Sequence, residues 1–167
     1  MTDKVYESFL QRQWEEGRNL ARQSDILRLT PFVGDAPDRY VVDLRCKVLR
    51  ENARGVSEGQ GCAVGIWFPP DYLRQIEVAQ VISLLAPADL FHPNVRFPFI
   101  CMGRLTAGTT LVDILHQLFE IVTYQKVTMR EDDALNPRAC QWARNQLHRF
   151  PLENRPLKRR RVGGDPT

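Results

Sequence analysis

The chain has 167 residues, 43% hydrophobic and 26% charged, with a formal net charge of +3, the length and balance of one globular domain able to bury a core. No apolar run approaches the ~20 residues of a membrane helix, and the charged start "MTDKVYESFLQRQW" lacks the features of a secretory signal, so a cytoplasmic protein is expected. The basic excess sits in residues 155–167, where five basic side chains face one acid, so the rest of the chain is slightly acidic and offers nucleic acid no basic face.

Tyr6, Phe9, Leu10, Trp14, Leu20 and Ala21 follow helical spacing and predict a helix from Asp3 to about Arg22. "DILRLTPFVG" reads as a short strand, ended by the turn chemistry of "GDAPD". "RYVVDLRCKVL" alternates, with Tyr40, Val42, Leu44, Cys46 and Val48 on one face. "ENARGVSEGQG" reads as a polar connection. "CAVGIWF" is a third strand, ended by the prolines of "PPDYLRQ", and "AQVISLLAP" a fourth. With no helix between them, these strands read as an antiparallel meander.

From Pro87 to Gly108 no long periodic run occurs. "TTLVDILHQLFEIVTY" then restores helical spacing, with Thr110 and Asp113 forming a capping box. "REDDALNPRACQWARNQLHRF" supplies the last helix, capped by Asn136, with Pro137 at its first position and Cys140, Ala143 and Leu147 along its buried stripe. The expected fold is therefore α+β: an N-terminal helix, an antiparallel four-stranded meander, a long irregular segment and two C-terminal helices. Residues 1–154 form one domain. Residues 155–167 are read as a disordered basic tail, its charge run and Gly-Gly solvated rather than engaged.

Four cysteines stand alone at 46, 62, 101 and 140, with no metal-ligand or redox spacing among themselves or with His92, His116 and His148. Free thiols in a reducing compartment are expected, and no metal. Cys46 and Cys140 fall on core stripes. Cys101 lies in the irregular segment, in "FHPNVRFPFICMGRL", seven residues after Asn94. A long structureless stretch inside a compact domain points to function, and an asparagine amide can meet a developing oxyanion. From the residues alone a buried thiol beside an ordinary His-Pro-Asn turn remains the stronger reading of Cys101. His116 and His148 read as solvated or edge-of-core side chains.

"HPNV" followed closely by "IC" and an apolar residue resembles the active-site signature of ubiquitin-conjugating enzymes. "EDDALNPRACQWA" resembles the segment that opens that family's penultimate helix, and "WFPPDYL" resembles its strand-ending segment. The interval of 32 residues from Cys101 to Asp133 is the family's common one. The resemblance runs from about residue 64 to 147, and the segment after Cys101 is closest to a bacterial branch linked to antiphage defence operons.

The resemblance implies a UBC-like fold and a transferase without cofactor. Cys101 would take the C-terminus of a ubiquitin-like modifier from an activating enzyme as a thioester, then pass it to a lysine of a target protein. Asn94 would support the oxyanion or the active-site loop, and Asp133 would position the lysine and help deprotonate it. His92 and Asp132 would support the structure of the site. A JAB-type deconjugating peptidase would belong to the same pathway. The alternative is an inactive UBC-like module that binds a modifier or an activating enzyme. The interval from Asn94 to Cys101 is one residue shorter than the family's, and "RFPF" replaces its polar, glycine-containing turn. Met102-Gly103 stands where an apolar–aspartate pair is common, and the usual later tryptophan is missing. The loop is expected to differ there.

Overall fold

A computed structural model describes residues 3–34, 36–128 and 130–161. Helix α1 spans Lys4–Arg22, and the side chain of Asp3 accepts the first amides. Strands β1 (Leu27–Pro31), β2 (Arg39–Leu44), β5 (Cys62–Trp67) and β6 (Ile82–Ala86) form one antiparallel sheet in the order β1-β2-β5-β6. Between β2 and β5, β3 (Val48–Asn52) and β4 (Gly55–Gly59) make a separate hairpin. A single helical turn, α2 (Val78–Val81), precedes β6, and a two-stranded hairpin of β7 (Val95–Arg96) and β8 (Phe99–Ile100) follows it. Helix α3 is Leu111–Val122 and α4 is Pro137–Arg144. This is the expected α+β layout. Among the described residues no helix is long and apolar enough to cross a membrane.

One sheet face carries α1 and α3. Their apolar stripes, Phe9, Leu10 and Leu20 on α1 and Leu111, Ile114, Leu115 and Leu118 on α3, bury against Tyr40, Val42, Leu44, Val64, Ile66 and Leu84. Each such side chain fully removed from water contributes about 1.5–3 kcal/mol. The two helices approach closely because residue 17 is glycine; a Cβ there would lie 2.7 Å from Leu111 Cδ2. Nearby, the buried Gln13 side chain accepts the Leu111 N–H at 2.8 Å, satisfying an amide that α3 itself leaves open. Thr110 Oγ1 accepts the Asp113 amide, and Asn136 Oδ1 accepts that of Ala139, so both expected caps are present.

Three readings need correction. "RYVVDLRCKVL" is two strands, because the chain bends at Arg45–Lys47 and leaves the main sheet while keeping Cys46 and Val48 buried. The polar connection "ENARGVSEGQG" is most of the β3–β4 hairpin, turning at Ala53-Arg54, with Gly55 at φ +112° where a side chain would be strained. The last helix stops at Arg144, so Leu147 sits on the following 3-10 turn and is 57% exposed rather than buried. Phe91, Tyr124, Leu152 and Leu49 close the second core cluster instead, around Ala139 and Ala143.

The expectation of a disordered tail from Arg155 also fails as far as Arg161; the Gly-Gly lies outside the described residues. Leu157 is buried, and Arg159 binds Asp25 at 2.8 Å and the Arg22 carbonyl. The Glu153 carboxylate, itself buried, accepts the Lys47 amide at 3.2 Å, the Arg155 amide and both arms of the Arg155 guanidinium. Hydrogen bonds from Arg155 hold that carboxyl at about 2. Glu153→Ala orphans those donors and should lower stability by about 1–3 kcal/mol in urea denaturation. The depressed value makes this contribution present above the unfolded pKa of about 4.3 and lost as pH falls from there toward 2.

Candidate functional site: an exposed thiol on a hairpin

The segment before the site is pinned by β3. Glu51 N–H donates to the Asp89 carbonyl and Phe91 N–H to that of Leu49, while Arg50 grips the Asp89 carboxylate at 2.7 and 3.1 Å. His92 follows, buried, its ring 4.4 Å from that of Tyr124. Its Nδ1 accepts the Asn94 amide at 2.9 Å, so Nε2 carries the proton and donates to the Lys126 carbonyl at 3.2 Å. Tyr124 enters the left-handed region at φ +61°, a cost of about 1–3 kcal/mol for a non-glycine residue. That turn brings Lys126 to His92, and the Tyr124 hydroxyl donates to the Phe91 carbonyl at 2.5 Å.

Burial lowers the His92 pKa to about 3, from 6.5. Between those values the unfolded chain binds a proton that the folded one does not. Stability should therefore fall as pH drops from 6.5 toward 3, by up to about 1.4 kcal/mol per pH unit. Urea midpoints taken between pH 7 and 5 measure this slope above the window in which Glu153 titrates. A His92→Gln variant, less stable at pH 7, should show a flatter one.

Asn94 and Cys101 face each other at the base of the β7–β8 hairpin. Val95 pairs with Ile100 and Arg96 with Phe99 around the turn Phe97-Pro98. The Cys101 amide donates to the Asn94 carbonyl at 2.8 Å, continuing the ladder by one step. Directly opposed residues on antiparallel strands project from the same face, so Asn94 stands beside the thiol. Its Nδ2 lies 3.4 Å from the Cys101 carbonyl, and its Oδ1 is buried without a partner. Buried Ile100 and Met102 on either side anchor the strand, while Cys101 is exposed. The link from Asn94 to Cys101 is thus a regular hairpin whose tight turn sets asparagine and cysteine opposite each other.

The other three thiols are buried, and burial pushes Cys46 up to about 12 and raises Cys62 as well. At neutral pH Cys46 and Cys62 are protonated, and all three are out of reach of a partner. Cys101 is the one exposed thiol of the four.

Asp132 and Asp133 occupy a 3-10 turn, Glu131–Asp133, ahead of α4 rather than in its first turn. Helix α4 holds that turn. Hydrogen bonds from Gln141 and then Arg144 lower the Glu131 pKa, and Cys140 Sγ donates to the Thr128 carbonyl at 3.2 Å. The Asn136 amide donates to the Pro93 carbonyl at 3.1 Å, tying the start of α4 to the His-Pro-Asn segment. Both aspartates are exposed, and Asp133 lies 3.6 Å from Arg130. Among the described residues no hydrogen bond or ion pair joins either aspartate to Asn94 or Cys101. The structure therefore unites His92, Asn94 and Cys101, and among the described residues ties the start of α4, not the acidic turn itself, to Pro93.

Sequence reasoning missed Arg96 and Phe99, which share the thiol's face of the hairpin. The signal was present: "VRFPFI" is symmetric about Phe-Pro, with Val95 and Ile100 as the inward pair. No three His, Cys, Asp or Glu side chains among the described residues come together as a metal site. Fold and site together define an α+β protein that presents a single exposed thiol opposite an asparagine amide. No protein-family model matches the chain, and no curated protein matches it.

Proposed function

We propose that the protein is a conjugating enzyme for a ubiquitin-like modifier. The observation that carries this reading is the register that sets the exposed Cys101 directly across the hairpin from Asn94. A role as an inactive binding module would have no use for an exposed thiol so placed.

The Cys101 thiolate attacks the modifier's C-terminal thioester on the activating enzyme; the new C–S bond forms as the old one breaks, releasing the activating enzyme's thiolate. A lysine amine of the target then adds to the carbonyl. Asn94 Nδ2 donates to the oxyanion, and collapse expels the Cys101 thiolate and leaves an isopeptide. Under ~0.1% of a free lysine is neutral at pH 7, so the amine needs a carboxylate to hold it and take its proton; Asp133 is assigned that part. His92 and Asp132 support the loops. The thioester is already activated, so no cofactor is assigned. We place the protein in the cytoplasm of a bacterial antiviral defence system, beside a JAB-type deconjugating peptidase.

The test is reconstitution. The protein is mixed with an activating-type enzyme, ATP and a ubiquitin-like protein, and resolved on non-reducing gels. An adduct that dithiothreitol removes supports the reading; its absence with a demonstrably charged activating enzyme overturns it.

A further inference from the structure

The hairpin register has a consequence for substrate choice, which rests on the conjugating-enzyme reading and extends it. Faces alternate along β7 and β8. Val95 and Ile100 point inward and are 2% and 3% exposed, whereas Arg96 and Phe99 share the outward face with Asn94 and Cys101. Both are exposed, Phe99 to 50%. Arg96 also lines a groove of about 560 Å³ with Leu90, Phe97, Leu135 and Asn136.

The charges of that groove are matched, with one exception. Asp89 is held by Arg50, and Glu51 lies 3.0 Å from Arg138. Arg96 has no ion-pair partner among the described residues. A ligand lying here meets an apolar wall and one unmatched guanidinium, so it should bring a carboxylate. The far wall, Leu135–Pro137, continues the acidic turn assigned to the incoming lysine. That favours the acceptor chain as occupant over the modifier.

We propose that Arg96 is a specificity-determining residue: it recognises a carboxylate side chain of the acceptor polypeptide, a few residues from the lysine that attacks the Cys101 thioester. Phe97 and Phe99 cover apolar neighbours of that lysine.

The test is single-turnover discharge of the loaded enzyme to peptides that carry one lysine and either a glutamate or an arginine at a neighbouring position. The wild type should favour the glutamate peptide by roughly two- to fivefold, the size of effect an exposed ion pair supplies, and the preference should shrink with added salt. Arg96→Glu should reverse it, the ratio within each enzyme serving as its own control. A loaded wild type that treats the peptides alike, or an Arg96→Glu enzyme that keeps the preference, overturns the inference and leaves the conjugating reading intact. Slower loading of Arg96→Glu with an unchanged peptide ratio assigns Arg96 to the modifier and also overturns it. A wild type that never forms the adduct overturns the conjugating reading, and this inference with it.

Discussion

Cys101→Ala should abolish the reductant-sensitive adduct of the proposed reaction, while Cys46→Ala and Cys62→Ala should retain it. The expectation follows from burial more than from position in the sequence. Transthiolation needs a thiolate that a protein partner can touch. Cys46 and Cys62 fail on both counts, since each is buried and each thiol is pushed up by that burial. Cys101 meets the access requirement: it is exposed, on a strand held by the buried side chains of Ile100 and Met102. Cys101→Ser sharpens the result, because an oxyester survives dithiothreitol where a thioester does not. Non-reducing and reducing gels run side by side on the four proteins decide the matter. An adduct that persists in Cys101→Ala would place the nucleophile elsewhere and sink the assignment.

The parts of this fold that were legible from sequence are those where one local rule acted alone. Helical spacing located α1 and α3, with Thr110 marking the start of α3 and Asn136-Pro137 that of α4. Alternation found β2 and β5 and their buried faces. What failed did so where a long-range contact overrode a local pattern. Alternation runs unbroken from Tyr40 to Val48, and nothing local shows that the Arg45 amide donates to the Ile26 carbonyl as the chain turns away. β4 is "GVSEG", which carries too little apolar character to read as a strand until β3 pairs with it. The tail looked disordered from its charge run, yet Arg155 and Arg159 find partners in Glu153 and Asp25, and Leu157 finds the core.

For the site, the spacing from Asn94 to Cys101 was readable as a departure from the loop of ubiquitin-conjugating enzymes, which the segment resembles, but not as a hairpin. Two residues in a tight turn flanked by an even number of paired positions always return asparagine and cysteine to opposite places in the ladder. That relation needs the pairing to be known. His92 was legible as a turn residue, whereas its locked tautomer depends on the Lys126 carbonyl, 34 positions away.

Asn94→Ala should slow discharge of the loaded enzyme to lysine by about 10²–10³-fold, the typical loss when one oxyanion donor is removed. The alternative is that Asn94 merely braces the loop, and the geometry separates the two. The tie that closes the hairpin runs from the Cys101 amide to the Asn94 backbone carbonyl at 2.8 Å, and alanine keeps it. The side-chain bond to the Cys101 carbonyl is long, at 3.4 Å, and the amide oxygen has no partner. An amide so lightly held can turn a donor toward a carbonyl on the neighbouring sulfur at little cost. A brace would instead show itself as a lowered urea midpoint and a parallel loss of loading. The oxyanion role therefore predicts slow discharge with unfolding and loading close to native. Discharge at the native rate would remove Asn94 from the chemistry and leave Cys101 standing alone.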